Sequence, residues 1–221
     1  MKGLPFVPEM ARAVCAGRKT VTRRLVDLAD EFIEEITPGG FCYLSVDGRW
    51  VVDTGGVFEG KGKFIDGIKA PWTVGERPCV LPTWAVPAEF DHLRPLQLDV
   101  EAVRSTFWHA GMTLRKPLAA VPPLGKSRPG RFLANHLREL LPVVEIVSIR
   151  MERVQDITEA DAVAEGVMED TAVGGWCVGA FRGSSARQVF EKLWDSINSE
   201  RGASWASNPF VWRIEFKGVA P

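Results

Sequence analysis

Four cations and two hydroxyls fall within eight residues at Gly17-Arg18-Lys19-Thr20-Val21-Thr22-Arg23-Arg24. A lysine withdrawn from water beside other cations can take a proton, and a nearby threonine hydroxyl can then attack an amide carbonyl. Left charged, the same cations grip phosphate. Taken alone, such a run is most often a solvated face with no ligand. A second group suited to proton exchange is Glu165, placed just before Gly166 at the end of a predicted helix. The negative end of a helix dipole disfavours a carboxylate unless a cation stands near.

The elements around these residues can be read from pattern. Pro8 to Ala16 has proline in its first turn and Met10 and Val14 on one face, which predicts a short helix closed by a left-handed Gly17. Thr20 to Val26 is rich in β-branched residues and predicts a strand with Thr20, Thr22 and Arg24 on one face and Lys19 at the turn before it. Asp27 to Thr37 reads as an acidic helix ended by Pro38-Gly39-Gly40. Phe41–Val46 and Arg49–Asp53 flank Asp47-Gly48, the signature of a two-residue hairpin turn. Glycine and lysine dominate from Gly55 to Gly67, as in a loop or a second ribbon.

In the strand expected between Gly75 and Val86, Pro82 confines the segment to an edge or a bulge. Asp99 to Trp108 is predicted helical, the prolines at 117, 122, 123 and 129 mark an irregular excursion, and Arg128 to Leu141 reads as partly helical. Val143 to Arg153 predicts a long strand with Val143, Val147, Ile149 and Met151 facing the core. Glu145 shares that face and needs a cationic partner, for which Arg24 and Arg150 are the candidates. Thr158 with Asp161, and Ser185 with Gln188, have the spacing of helix N-caps. The second of these helices, running to about Asn198, should bury Val189, Phe190, Leu193, Trp194 and Ile197. The last strand alternates, with Phe210, Trp212, Ile214 and Phe216 inward and Val211, Arg213, Glu215 and Lys217 outward. Short strands, few helices and hairpin signals together predict a small α+β domain with a partly closed β-barrel.

Composition narrows the function classes. With 221 residues, 46% hydrophobic and 25% charged, the chain has the make-up of a folded globular protein. A net charge of −1 excludes a general polycation, so any hold on nucleic acid must come from a local patch. Cys15, Cys42, Cys79 and Cys177 form no Cys-x-x-Cys pair and have no histidine partner spaced for zinc; they read as reduced, mostly buried thiols. No cofactor and no metal site is expected. The N-terminus lacks the pattern of a secretory signal and no run of eighteen apolar residues occurs, which gives a cytoplasmic expectation with no membrane partner. Nothing in the sequence fixes the oligomeric state.

Three blocks in order carry a family resemblance. The Gly17–Arg24 motif after a short helix, the stretch Gln155-Asp156-Ile157-Thr158-Glu159-Ala160-Asp161-Ala162-Val163-Ala164-Glu165-Gly166-Val167, and Leu193-Trp194-Asp195-Ser196-Ile197-Asn198 followed by Trp205–Trp212 resemble the ASCH family of the PUA-like superfamily, in particular its longer phage and prophage members. The resemblance implies one PUA-like domain over residues 1–221, with flanking helices and insertions at about 27–70 and 87–130. It implies a basic cleft for a pyrimidine nucleoside or nucleic acid. Small bacterial members similar at these positions hydrolyse the acyl group of N4-acetylcytidine with a lysine, a threonine and a glutamate. Carried over residue by residue, Lys19, Thr22 and Glu165 take the catalytic roles. Arg18, Thr20, Arg23, Arg24 and Trp84 become candidates for binding a modified pyrimidine nucleoside or a single-stranded nucleic acid. The chain departs from the family where an Arg-Glu pair usually precedes Thr-Trp: here Leu81 and Pro82 precede Thr83 and Trp84. Alternatives are a non-catalytic module that binds RNA or modified bases, stacking a base on a tryptophan such as Trp84, and third a ribonuclease, for which His92, His109 and His136 lie too scattered to make an obvious acid-base pair.

Overall fold

The structure is a computed structural model that describes residues 2–26, 70–98, 123, 125–172 and 174–219, and the backbone of 41–44, 50–53 and 63–64. The expected helices at 27–37 and 99–108, the Asp47-Gly48 turn and most of both expected insertions lie outside these residues. The described chain is mixed α/β with several sheets, none of them closed into a barrel. It divides into two compact units: Met1–Thr20, Gly75–Glu145 and Phe216–Pro221 form the first, Val21–Val74 and Ile146–Glu215 the second.

In the first unit strand β1 (Gly3–Phe6) leads through Val7 into helix α1 (Pro8–Cys15). Pro8 fits the first helical position because that residue needs no N–H partner, and Met10, Ala11, Ala13 and Val14 are buried. The helix closes at Gly17 with φ +69°. The Gly17 N–H donates to the Val14 carbonyl, and the Arg18 and Lys19 N–H groups donate to the Ala13 carbonyl. This is a Schellman turn, which needs a left-handed residue that glycine supplies without Cβ strain. β1 pairs in parallel with β6 (Cys79–Pro82), with Phe6 opposite Pro82. In this two-strand sheet Pro82 sits at the end of the pairing, as its missing N–H requires. Cys79 and Leu81 of β6, with Trp84, Val86 and Leu98 after it, pack with Leu133, Ala134, Leu137 and Leu141 around the short helix α2 (Asn135–Arg138).

The second unit carries β2 (Val21–Leu25), most of β7 (Val144–Arg153) and most of β11 (Phe210–Gly218) in a sheet of order β2-β11-β7. β2 and β11 are antiparallel, with Thr22 opposite Ile214, Arg23 opposite Arg213 and Arg24 opposite Trp212. Helix α3 (Glu159–Ala164) and helix α4 (Ala186–Asn198) pack on each other, and α4 also lies against β9 (Trp176–Val178) and β10 (Phe181–Gly183). These two strands and β8 (Met168–Glu169) form an antiparallel sheet. Val189, Phe190 and Trp194 of α4 are buried with Trp205, the ring of Phe190 standing 6.2 Å from Trp194 and 6.3 Å from Trp205. Both expected N-caps are present, Thr158 accepting from the Asp161 N–H and Ser185 from the Gln188 N–H.

Several expectations are corrected. The strand after Gly17 runs from Val21 to Leu25, one residue shorter at each end than predicted. The hairpin strands β3 (Phe41–Leu44) and β4 (Trp50–Asp53) pair with Leu44 opposite Trp50, one residue away from the register that a two-residue turn at Asp47-Gly48 would set, and β5 (Lys63–Phe64) adds a third strand. In β7 the buried residues are Val144, Ile146 and then Met151, while Val147 is exposed; the parity changes along the strand, which a regular pleat does not do. Glu145 is bound by neither Arg24 nor Arg150. Arg77 donates to it through Nε at 2.9 Å and Nη2 at 2.7 Å, and Lys217 Nζ lies at 3.0 Å. On β11 the inward set is as expected, but Val211 on the other face is fully buried too. Ile197 is exposed, since the buried stripe of α4 ends at Trp194 and Asn198. Cys15, Cys79 and Cys177 carry free thiols, and Cys15 is exposed where burial was expected.

Candidate functional site

Burial of polar groups marks the site. Among the described residues the buried polar or charged ones are Lys19, Thr22, Arg23, Glu165 and Asn198. The first four belong to the two motifs read from sequence, and each is at most 5% exposed. Removing a lysine, an arginine and a glutamate from water costs several kcal/mol per ion unless partners replace the lost hydration, roughly as for any buried charge.

In the second unit the partners are explicit. Arg23 projects from the β2 face opposite Thr22 and Arg24, and its side chain has no solvent exposure. Its Nε donates to Glu152 Oε1 at 2.8 Å and its Nη2 lies 2.6 Å from the same oxygen. Nη2 also donates to Asp161 Oδ2 at 2.9 Å, and Nη1 donates to Glu165 Oε1 at 3.2 Å. The guanidinium carbon stands 5.9 Å from the centre of the Phe190 ring. Arg213, opposite Arg23 on β11, holds Asp161 Oδ1 at 2.8 Å, and Arg150 holds Glu152 Oε2 at 2.9 Å. Burial pushes the Asp161 carboxyl up, yet the hydrogen bond from Arg213 and the charges of Arg23 and Arg213 outweigh it and leave it below its ordinary value.

Glu165 owes its place to α3. It is the residue at the helix end, where Gly166 at φ +106° turns the chain, with the Gly166 N–H donating to the Val163 carbonyl and the Val167 N–H to the Ala162 carbonyl. This is a second Schellman turn. A carboxylate at the negative end of a helix needs a cation, and Arg23 supplies one. Arg24 lies on the Thr22 face of β2. Burial lowers its guanidinium to about 10, with Glu165 opposing the shift and Arg201 adding to it, so it is still charged at neutral pH.

In the first unit Lys19 directly follows the Schellman turn of α1, is 3% exposed, and carries its amine 5.8 Å from the centre of the Phe6 ring. Arg18 and Thr20 on either side are exposed, and the Thr20 carbonyl accepts from the Phe216 N–H. Trp84 is wholly buried in the same unit. Its indole N–H donates to the Pro129 carbonyl at 3.2 Å and the Arg128 guanidinium lies 5.1 Å from its ring centre. The second unit therefore brings Glu165 to Arg23 and within the field of Arg24, with Thr22 on the same strand as both arginines, and the first holds Lys19, Arg18, Thr20 and Trp84.

Sequence reasoning missed Glu152, Arg213 and the ionic role of Asp161. The signal for Asp161 was available: it precedes Glu165 by one helical turn, which puts both carboxylates on one face of α3. Glu152 and Arg213 depend on strand register and carried no local signal. Among the described residues no three His, Cys, Asp or Glu side chains are grouped to hold a metal ion, and no helix is long and apolar enough to cross a membrane. Compared with family models, curated proteins and solved structures, the chain gives no match.

Proposed function

We propose that this protein is an ASCH-type amidohydrolase with a PUA-like, partly closed barrel, which removes an acyl group from N4 of a modified cytidine. The observation that supports this reading is that Lys19, Thr22 and Glu165, chosen on motif position alone, are all withdrawn from water. Buried lysine and glutamate side chains are rare in folded proteins and concentrate where chemistry uses them.

In this mechanism the Thr22 oxygen attacks the acyl carbon while its proton passes to the Lys19 amine. A lysine that accepts a proton must be neutral, and exclusion of water is the condition that favours the neutral amine. Arg24 stabilises the oxyanion, where a fixed positive charge has its largest effect. As the C–N bond breaks, a proton reaches N4 by way of Glu165, because the exocyclic amine departs only when protonated. Water then cleaves the Thr22 ester, releasing the carboxylic acid and restoring the hydroxyl and the resting protons.

The test is incubation with N4-acetylcytidine and longer N4-acyl cytidines, following acid release. Lys19→Ala and Glu165→Ala should each lower kcat by about a hundredfold or more, in the range that general acid-base groups contribute. Thr22→Ser should keep measurable turnover and Thr22→Val should lose it. Absence of turnover on every acylated nucleoside, with oligonucleotide binding retained, would replace this reading by the binding module.

A further inference from the structure

Arg23 was a candidate for gripping substrate, yet every donor nitrogen it presents is directed at a carboxylate of its own chain: Nε and Nη2 at Glu152, Nη2 at Asp161, Nη1 at Glu165. A planar guanidinium can hold several oxygens only in one orientation, because its five N–H groups form a rigid fork. Of its other two partners, one sits on a separate strand and one on the helix that ends at Glu165. Glu152 is on β7, fixed from its other oxygen by Arg150, and Asp161 is one turn up α3, fixed from its other oxygen by Arg213. The fork is thus anchored at two points and extends its remaining nitrogen to Glu165 at the helix end, where backbone hydrogen bonds are running out.

We infer that Arg23 is a positioning residue: clamped by Glu152 and Asp161, it fixes the orientation of the Glu165 carboxylate and makes no contact with substrate. The inference rests on the amidohydrolase reading for its kinetic consequence, and on the ion-pair geometry alone for its structural one. It separates two adjacent arginines by role. Arg23 faces the helices, whereas Arg24 shares the strand face of Thr22. Misplacing a proton-transfer group by a fraction of an ångström costs rate and leaves binding nearly unchanged, which is the kinetic signature of such a residue.

The experiment uses Glu152→Gln, which keeps the shape and one acceptor but removes the charge that anchors the fork, together with Arg23→Lys, which keeps the charge and removes the fork. Steady-state kinetics on N4-acetylcytidine are measured beside the melting temperature and the side-chain carboxyl 13C resonance of Glu165, assigned by its loss in Glu165→Gln. Both variants should lower kcat by about tenfold or more with KM within about twofold, and should shift or broaden the Glu165 resonance. A rise in KM at unchanged kcat would make Arg23 a substrate-binding residue and overturn the inference. Unchanged kinetics with a lowered melting temperature would leave the cluster a purely structural one, with the same result. If the unsubstituted protein turns over no acylated nucleoside, the amidohydrolase reading fails, and the resonance still decides: a Glu165 signal that is neither moved nor broadened in Glu152→Gln ends the positioning role, and one that moves sustains it.

Discussion

A guanidinium without water contact must be neutralised where it stands, and three carboxylates surround Arg23. Removing it would leave Glu152, Asp161 and Glu165 facing one another across a buried gap. Arg23→Met should therefore destabilise the protein by about 3–5 kcal/mol, the usual result of breaking a buried ion pair from one side, measured as a lowered urea midpoint. Arg18→Met, at an exposed position of the same motif, should stay within about 0.5 kcal/mol of the parent, as surface substitutions do. The sequence offered these two arginines as equals. What distinguishes them is that Arg18 lies in the turn that closes α1, whereas Arg23 lies in the strand starting at Val21, in the register that sets it opposite Arg213. Trp84 illustrates the same limit: aromatic residues advertise burial and stacking alike, and only the Pro129 carbonyl at its N–H edge and the Arg128 guanidinium over its ring tell which one applies.

Two helices end in the same way, and each places an ionisable group at its exit. α1 delivers Lys19 two residues after Gly17, and α3 delivers Glu165 one residue before Gly166. Both turns depend on a residue at positive φ. Gly166→Ala forces a side chain into φ +106°, a strain of roughly 1–3 kcal/mol, and should lower both thermal stability and turnover because the displaced residue is Glu165. Thr158→Ala removes the acceptor for the Asp161 N–H at the other end of α3 and should cost about 1 kcal/mol, seen in equilibrium unfolding. Caps, glycine stops and amphipathic stripes were legible in the sequence because they are local chemistry. The parity change in β7, the partners of Glu145 and the exposure of Ile197 were not, since each depends on what a distant segment packs against.

At the scale of the molecule, each unit holds a carboxylate depressed by basic neighbours. In the first, Lys217 and then Arg77 hydrogen-bond Glu145 and hold it below its ordinary value; in the second, Arg213 and Arg23 overcome burial to do the same for Asp161. A carboxyl lowered in the folded state takes up a proton more readily when unfolded. Its contribution is complete above the unfolded value, about 4 for a carboxylate, and is lost as pH falls from there through the folded value. The urea midpoint should accordingly hold steady from neutral pH to about 5 and drop towards pH 3, and Asp161→Asn should flatten that drop. The mixture of helices with several sheets was legible from element patterns, whereas the partition into two units was not, because no linker composition marks it. The chain passes from one unit to the other after Thr20, after Val74, within β7 and within β11. Heredity meets an obstacle in that path: a single genetic crossover between this gene and another can transplant neither half intact, so shuffled descendants must inherit the interleaved whole or rebuild it.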